Sequence, residues 1–257
     1  MANENKEVTY TLEGSVALIT LNRPDKRNAL NDALIGGLKH SLHRANENEA
    51  VRVIVITGAG ADFCSGADLS SLQKISEASV MENLEDAKSL MELFALIRRV
   101  SVPVVAAVRG RALAGGCGLA TACDLVLATA SARFGYPEVK IGFVPAMVMA
   151  ILRRNVSEKR AFELITRGAE IGAQEAERLG LVNRVFDDET FEAQIESYVA
   201  AFEKVSRSAV ILSKRLLYNM DGMTFDTALE AGVDVNTIAR MTDDCQQGIN
   251  RFLKKQR

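Results

Sequence analysis

Two glycine-rich stretches carry the first sign of chemistry: Thr57-Gly58-Ala59-Gly60-Ala61-Asp62-Phe63-Cys64-Ser65-Gly66-Ala67-Asp68 and Arg109-Gly110-Arg111-Ala112-Leu113-Ala114-Gly115-Gly116-Cys117-Gly118. Each follows a β-branched run. Small residues at a strand end let a ligand approach the main chain. A helix that starts there offers N–H groups with no internal acceptor. Two such turns facing one cleft would hold an oxyanion from both sides. Losing one donor of such a pair typically costs about 2.7–4 kcal/mol of transition-state stabilisation. A Walker loop is excluded, because Gly115 is not followed by Lys and Ser/Thr. The dinucleotide pattern G-x-G-x-x-G, with an acidic residue ending the next strand, does not fit either. The remaining rival is that these glycines serve only turns and close helix packing.

Other chemistries find little material. The two histidines, His40 and His43, lack a Cys or acidic partner at ligand spacing, which leaves neither a triad nor a metal site. The four cysteines include no CxxC pair. Cys64 and Cys117 flank the two loops, but no histidine stands near either in sequence to make a thiolate. The cysteine usage reads as a reduced, cytoplasmic compartment.

The loops need strands and helices to aim them. Val8 to Leu12 and Val16 to Leu21 read as a hairpin around Glu13-Gly14. Asn31 to Asn46 carries Leu34, Leu38 and Leu42 at helical spacing. Val51 to Thr57 reads as a buried strand, Val80 to Arg99 as a helix and Val104 to Val108 as another strand. The second loop leads into an Ala-rich helix reaching Cys123, and Asp124 to Ala128 is again a strand. This recurring strand, loop, helix and strand predicts an α/β fold with helices packed on sheets. Ser157 to Gly168, Ala173 to Leu179 and nearly all of Glu189 to Lys255 read as helix, with one strand over Leu181 to Val185. We therefore expect an α/β core over residues 1–190 and a helical region over 191–257.

The chain has 257 residues, 48% of them hydrophobic and 25% charged, with net charge -2. That is enough apolar material for a core, and no basic stripe argues for nucleic acid. The longest apolar runs are too short to cross a bilayer. Met1 to Glu7 is polar and mixed in charge, unlike a secretory signal.

The motifs taken in order resemble the crotonase (enoyl-CoA hydratase/isomerase) family. Phe63-Cys64-Ser65-Gly66-Ala67-Asp68-Leu69 is similar to its Phe, two small residues, Gly-Ala-Asp-Leu/Ile signature. Ala114-Gly115-Gly116-Cys117, with Leu119 and Ala122-Cys123-Asp124, is similar to its second motif. Asn22-Arg23-Pro24, Arg27-Asn28-Ala29-Leu30, Phe134-Gly135-Tyr136-Pro137-Glu138 with Gly142, Ala173 to Ala176, Gly180 to Asn183 and the segment from Asp243 to Leu253 extend the resemblance over the whole chain.

The resemblance implies a spiral of repeated β-β-α units with a C-terminal helical trimerisation region. It implies homotrimers, often stacked as a dimer of trimers, and coenzyme A thioester substrates with no separate cofactor, metal, nucleic acid or membrane. The oxyanion donors would be the N–H groups of Ala67 and Gly115, and Glu138 would be the acid/base. The CoA cleft would involve Lys26, Arg27, Ala29, Ser65, Gly66, Asp68, Leu69, Gly116 and Pro137. Lys26 and Arg27 would lie near the phosphates, and the adenine against the loop backbone.

One departure stands out. The family's hydratases use a second glutamate three residues after the oxyanion glycine, and here that position is Gly118. A lone Glu138 suits a proton shuttle, as in a 3-enoyl-CoA isomerase, and the other reading is a one-carboxylate hydratase. Alternatives are another crotonase reaction, such as decarboxylation or thioester hydrolysis, or a non-catalytic acyl-CoA binder. A dienoyl-isomerase would need an aspartate where this chain has Ala146. Glu138 is expected among Phe134, Tyr136, Val139, Ile141, Phe143 and Val144, in a setting that raises its pKa. Glu82, Glu85 or Glu92 would be sources of a compensating carboxylate. Gly118→Glu is expected to restore hydration. Met81 to Phe94 and Val144 to Ile151 are expected to wall the acyl pocket, and Asp124 to be structural.

Overall fold

β1 (Val8–Glu13) and β2 (Val16–Leu21) pair antiparallel, with Val8 opposite Leu21 and Glu13 opposite Val16. α1 (Asp32–Glu47) follows, its first turn capped by Asn31, whose side chain accepts the Leu34 N–H at 2.8 Å. Its Leu34, Leu38 and Leu42 are wholly buried, as their spacing requires. Next come β3 (Val53–Gly58), α2 (Leu69–Glu77), α3 (Val80–Arg99), β4 (Val104–Val108), β5 (Arg111–Leu113) and α4 (Gly115–Ala122). β6 (Leu125–Thr129), β7 (Arg133–Gly135), a 3-10 turn (Pro137–Ile141), α5 (Ala146–Asn155), α6 (Glu158–Arg167), β8 (Glu170–Gly172), α7 (Ala173–Leu179) and β9 (Arg184–Phe186) complete the mixed part. α8 (Phe191–Val199), α9 (Arg207–Asn219), α10 (Phe225–Arg240) and α11 (Asp243–Lys255) end the chain. This computed structural model describes residues 6–255, the side chains of Leu69 and Lys255 excepted.

The strands form two sheets, β1-β2-β3-β4-β6-β9 and β5-β7-β8. In the first, every pair beyond β1·β2 is parallel. Its central strands are buried on both faces, so they read as unbroken apolar runs. Ile54, Ile56, Ala106 and Val108 face the main core, while Val53, Val55, Val105 and Ala107 face α8 through Phe191 and Val199.

The two sheets make a spiral of β-β-α units. β4, β5 and α4 form one complete turn, and β6 and β7 repeat it. Earlier turns are reduced: Leu30 and Ala67 pair as one isolated bridge, Cys64 and Ala112 as another. These bridges and the second sheet lie inside what the sequence presents as loops. Three-residue strands leave no alternation to read, so β5, β7 and β8 do not show there. α2 is a further difference. It starts directly at Asp68, whose side chain accepts the Ser70 N–H, whereas the sequence places the helix start near Val80. The strand expected over Leu181 to Val185 begins only at Arg184. Leu181 instead closes α7, donating to the Ala176 carbonyl at 2.9 Å past the left-handed Gly180.

Every regular element described after β9 is helical. α9 is tied to the core by a buried cation. Lys214 Nζ donates to the Ile97 carbonyl (3.2 Å), the Val102 carbonyl (2.9 Å) and Asp124 Oδ2 (2.7 Å). Tyr218 donates to Asp124 Oδ1 at 2.5 Å, and the Val104 N–H to Asp124 Oδ2 at 2.6 Å. The Asp124 side chain thus ties β4 to α9. Burial pulls the Lys214 pKa down, and the Asp124 charge opposes that pull. α10 and α11 keep large apolar side chains exposed, among them Phe225, Val233, Met241 and Phe252.

Candidate active site

The first glycine loop is stitched to the segment after β2. The Ser65 N–H donates to the Arg27 carbonyl (3.0 Å), the Leu30 N–H to the Gly66 carbonyl (2.7 Å) and the Asp68 N–H to the Leu30 carbonyl (3.0 Å). In such a ladder alternate amides face opposite sides. The Ala67 N–H therefore points away from Leu30 and has no hydrogen-bond partner among the described residues.

Two residues hold this arrangement that the sequence shows only as parts of a signature. Asn28, fully buried, accepts the Arg23 N–H at 2.8 Å and donates to the carbonyls of Ala59 (2.9 Å) and Asp62 (2.7 Å). Arg23 donates to the Ala29 carbonyl (2.5 Å) and to Asp68 Oδ2 (2.6 Å). The Ser70 amide, and then Arg23, hold the Asp68 carboxyl below its usual range. A buried Asn beside an Arg, just before a helix cap, is the signal that points to such a brace.

The second loop lies against the first. The Cys64 N–H donates to the Arg111 carbonyl (3.0 Å), and the Leu113 N–H returns to the Cys64 carbonyl (2.9 Å). Ala114 adopts φ 50, ψ -127, a conformation that costs a non-glycine residue of order 1–3 kcal/mol. It is held there because its N–H donates to the Gly135 carbonyl at 2.8 Å and its own carbonyl accepts the Gly118 N–H at 3.0 Å. α4 then begins at Gly115, whose N–H has no acceptor one turn back. Gly66, at φ +98, abuts this bend: a methyl placed on it would stand 2.8 Å from the Ala114 methyl. Ala67 and Gly115 are the next residues of the two touching chains.

Glu138 arrives on the 3-10 turn that follows β7, the strand paired with β5. Its Oε2 is buried without a hydrogen-bond partner, and burial raises its pKa above the ordinary glutamate range. Its charge bears on Cys117, two residues into α4 from Gly115. Arg133, a possible ion partner, turns instead to Glu170. The surroundings differ from expectation. Phe134 and Tyr136 are buried, but Val139, Ile141, Phe143 and Val144 are exposed, the last at 67%. The turn ends at the left-handed Gly142, which sends the following segment outward, so the burial of Glu138 comes from the core side.

The remaining expected residues divide into two groups. Lys26 and Arg27 are exposed at the lip, Ser65 and Pro137 are half-buried, and Gly66 lies at the junction of the loops. Ala29, Asp68 and Gly116 are buried and support the loops from within. A methyl on Gly116 would stand 2.2 Å from the Cys64 carbonyl oxygen. The Leu69 side chain lies outside what is described. Cys64 and Cys117 are buried thiols pushed up to about 12 by that burial, which leaves them inert. His40 and His43 are exposed on α1.

None of the proposed substitute carboxylates turns inward. Glu82 closes the capping box of α3 with Ser79, Glu85 pairs with Lys88 and Glu92 with Lys39. The gain in hydration expected from Gly118→Glu meets an obstacle: a methyl there would stand 2.3 Å from Val148 Cγ1 and 3.1 Å from Phe94 Cζ, so a side chain at 118 requires Val148 to shift. A cavity of about 330 Å³ lies elsewhere, between the first sheet and α8 against Val16, Leu18, Val55, Phe191 and Ile195. Ala67, Gly115 and Glu138 do not line it.

The family model described as enoyl-CoA hydratase/isomerase matches residues 11–257. The chain belongs to this family. It is an enzyme family, and the relatives are close in length. A putative enoyl-CoA hydratase of Thermus thermophilus is 39% identical over 243 residues, covering 95% of this chain and 96% of that one. The 2,3-dehydroadipyl-CoA hydratase of Escherichia coli is 35% identical, covering 97% and 96%. The crystal structure of enoyl-CoA hydratase from Mycobacterium smegmatis superposes with a TM-score of 0.93 at 32% identity, covering 97% of this chain and 96% of that one. Membership and these superpositions establish the crotonase fold. No described helix is long and apolar enough to cross a membrane.

Proposed function

We propose that this member acts on an unsaturated acyl-CoA thioester, holding the enolate oxygen between the N–H groups of Ala67 and Gly115 while Glu138 moves a proton at the carbon beside the carbonyl. The observation that carries this reading is the meeting of three segments: two unbonded amides on adjoining chains and one buried carboxyl oxygen without a partner. The amides lower the energy of the charged intermediate. A carboxyl kept above its ordinary pKa can both take and release a proton near neutrality. Lys26 and Arg27, exposed and without an ion pair among the described residues, would meet the CoA phosphates. No separate cofactor is required for proton transfer.

The exposed apolar face of α10 and α11 supports self-association, as a homotrimer or a dimer of trimers. The free, buried thiols of Cys64, Cys117 and Cys123 suit a reduced cytoplasm.

The test is solvent deuterium exchange at the α-carbon of short enoyl-CoA esters, followed by NMR. Glu138→Gln should slow it by about 10²–10⁴. The wild-type rate should rise with pH through a pKa above the ordinary glutamate range, and the variant should lack that limb. Because the folded state raises this pKa, it binds a proton that the unfolded chain releases. Stability therefore falls as pH rises through that window. Glu138→Gln should melt higher than wild type above the window and equally below it. Full exchange in the variant would remove Glu138 from the role. Loss of CO₂ from a malonyl-type ester, or tight binding without turnover, would replace the reading.

A further inference from the structure

One wall of the candidate site carries no polar group that a substrate or water could use. Residue 118 lies three positions after Gly115 on α4, so the two share a face of the helix. Helical side chains lean toward the N-terminus. Whatever fills the space beside residue 118 therefore borders the place where Gly115 offers its N–H. That space is filled by Val148 Cγ1 from α5 and the Phe94 ring from α3, both residues buried. Next to Gly115 itself stand Leu30 and Leu90. The nearest hydroxyl on the helix, Thr121 Oγ1, is already bound to the Cys117 carbonyl (2.8 Å) and to Tyr136 (3.2 Å). A water molecule needs two to four polar partners to be held in a buried place, and this wall supplies none. The Cys117 thiol and the Tyr136 hydroxyl nearby are buried with their pKa values raised, which leaves Glu138 as the group placed to move a proton.

We infer that Val148 and Phe94 are specificity-determining residues that keep water off this side of the bound acyl group and so confine the enzyme to moving a double bond rather than hydrating it. The inference rests on the reading of Ala67, Gly115 and Glu138 above. In the step it allows, the Glu138 carboxylate takes a proton from carbon 2 of a 3-enoyl thioester. The C–H electron pair moves into the carbonyl, giving a dienolate with its oxygen on the two amides. The dienolate then collapses: the oxygen charge returns to C=O, the double bond forms between carbons 2 and 3, and the pair from the old bond takes a proton at carbon 4 from Glu138, whose carboxyl proton exchanges with solvent. Nothing is added or lost, and no water is consumed.

The experiment offers 3-enoyl- and 2-enoyl-CoA esters to the full-length protein in deuterated, ¹⁸O-enriched water and reads both labels by mass spectrometry. Wild type should shift the double bond and incorporate deuterium, with ¹⁸O-labelled 3-hydroxyacyl product a minor fraction. Val148→Ala, which opens the wall without adding a group, should raise the ratio of hydrated to isomerised product about three-fold. Val148→Ala combined with Gly118→Glu, which gives the opened space a carboxylate, should raise it about ten-fold or more. The ratio separates specificity from loss of folded protein. ¹⁸O product as the main wild-type outcome, or an unchanged ratio in Val148→Ala, overturns the role of the wall while leaving Glu138 intact. Absence of deuterium from every wild-type acyl product overturns the underlying reading as well.

Discussion

Gly116 in α4 and Gly232 in α10 are both helical glycines, and they stand in opposite circumstances. A methyl on Gly116 would collide with the Cys64 carbonyl oxygen at 2.2 Å, whereas one on Gly232 would meet nothing within 4 Å. The contrast extends to large side chains. Phe94 in the spiral is 5% exposed, Phe225 in the C-terminal helices 77% and Met241 78%. The spiral is completed by its own chain, down to glycines forced by neighbouring backbone. The last helices are amphipathic, and their apolar face has no cover among the described residues, the feature behind the self-association proposed above.

The largest effect should come from crowding the completed region. Gly116→Ala should abolish folding or cost more than about 3 kcal/mol in urea denaturation, because the obstacle is backbone that cannot swing aside. A mild effect would mean that the spiral yields more than its packing indicates. Cutting the link between the regions comes next. Lys214→Met leaves Asp124 without its buried cation and should cost about 3 kcal/mol, read by the same denaturation curves. Phe225→Asp with Met241→Asp should lower the molar mass in light scattering to that of a monomer. If wild type is already monomeric at micromolar concentration, the contrast between covered and uncovered regions fails. The smallest change sharpens it from the other side. Gly232→Ala, in open space on a helix, should add about 0.5–1 kcal/mol, and a loss would place a neighbouring chain against that position.

Much of this was readable from residue order. Leu34, Leu38 and Leu42 announced α1, and the β-branched runs announced β3 and β4, because burial on one face or on both leaves a periodic trace. The small residues around Gly66 and Gly115 marked the bends that free two amides. What stayed hidden is non-local. The three-residue strands are defined by partners, not by pattern. Gly118 reads as a missing side chain, yet its meaning is set by Val148, thirty positions on, occupying the vacated volume. Val139 to Val144 reads as an apolar nest for Glu138, but the left-handed Gly142 turns that segment to the surface. Arg23 and Asn28 brace the first loop through contacts across more than thirty positions, which composition cannot register.

The clamp on Asp124 has a mechanical consequence. α4 is eight residues long, about 12 Å. At one end it presents the Gly115 amide, and just beyond the other the chain runs into Asp124, gripped by Lys214 and Tyr218 of α9. So short a rod has no joint along it, and whatever steadies the tail of the molecule also steadies the helix start at its far tip. Assembly through the C-terminal helices would then act as a tuning screw on the rim of the cleft.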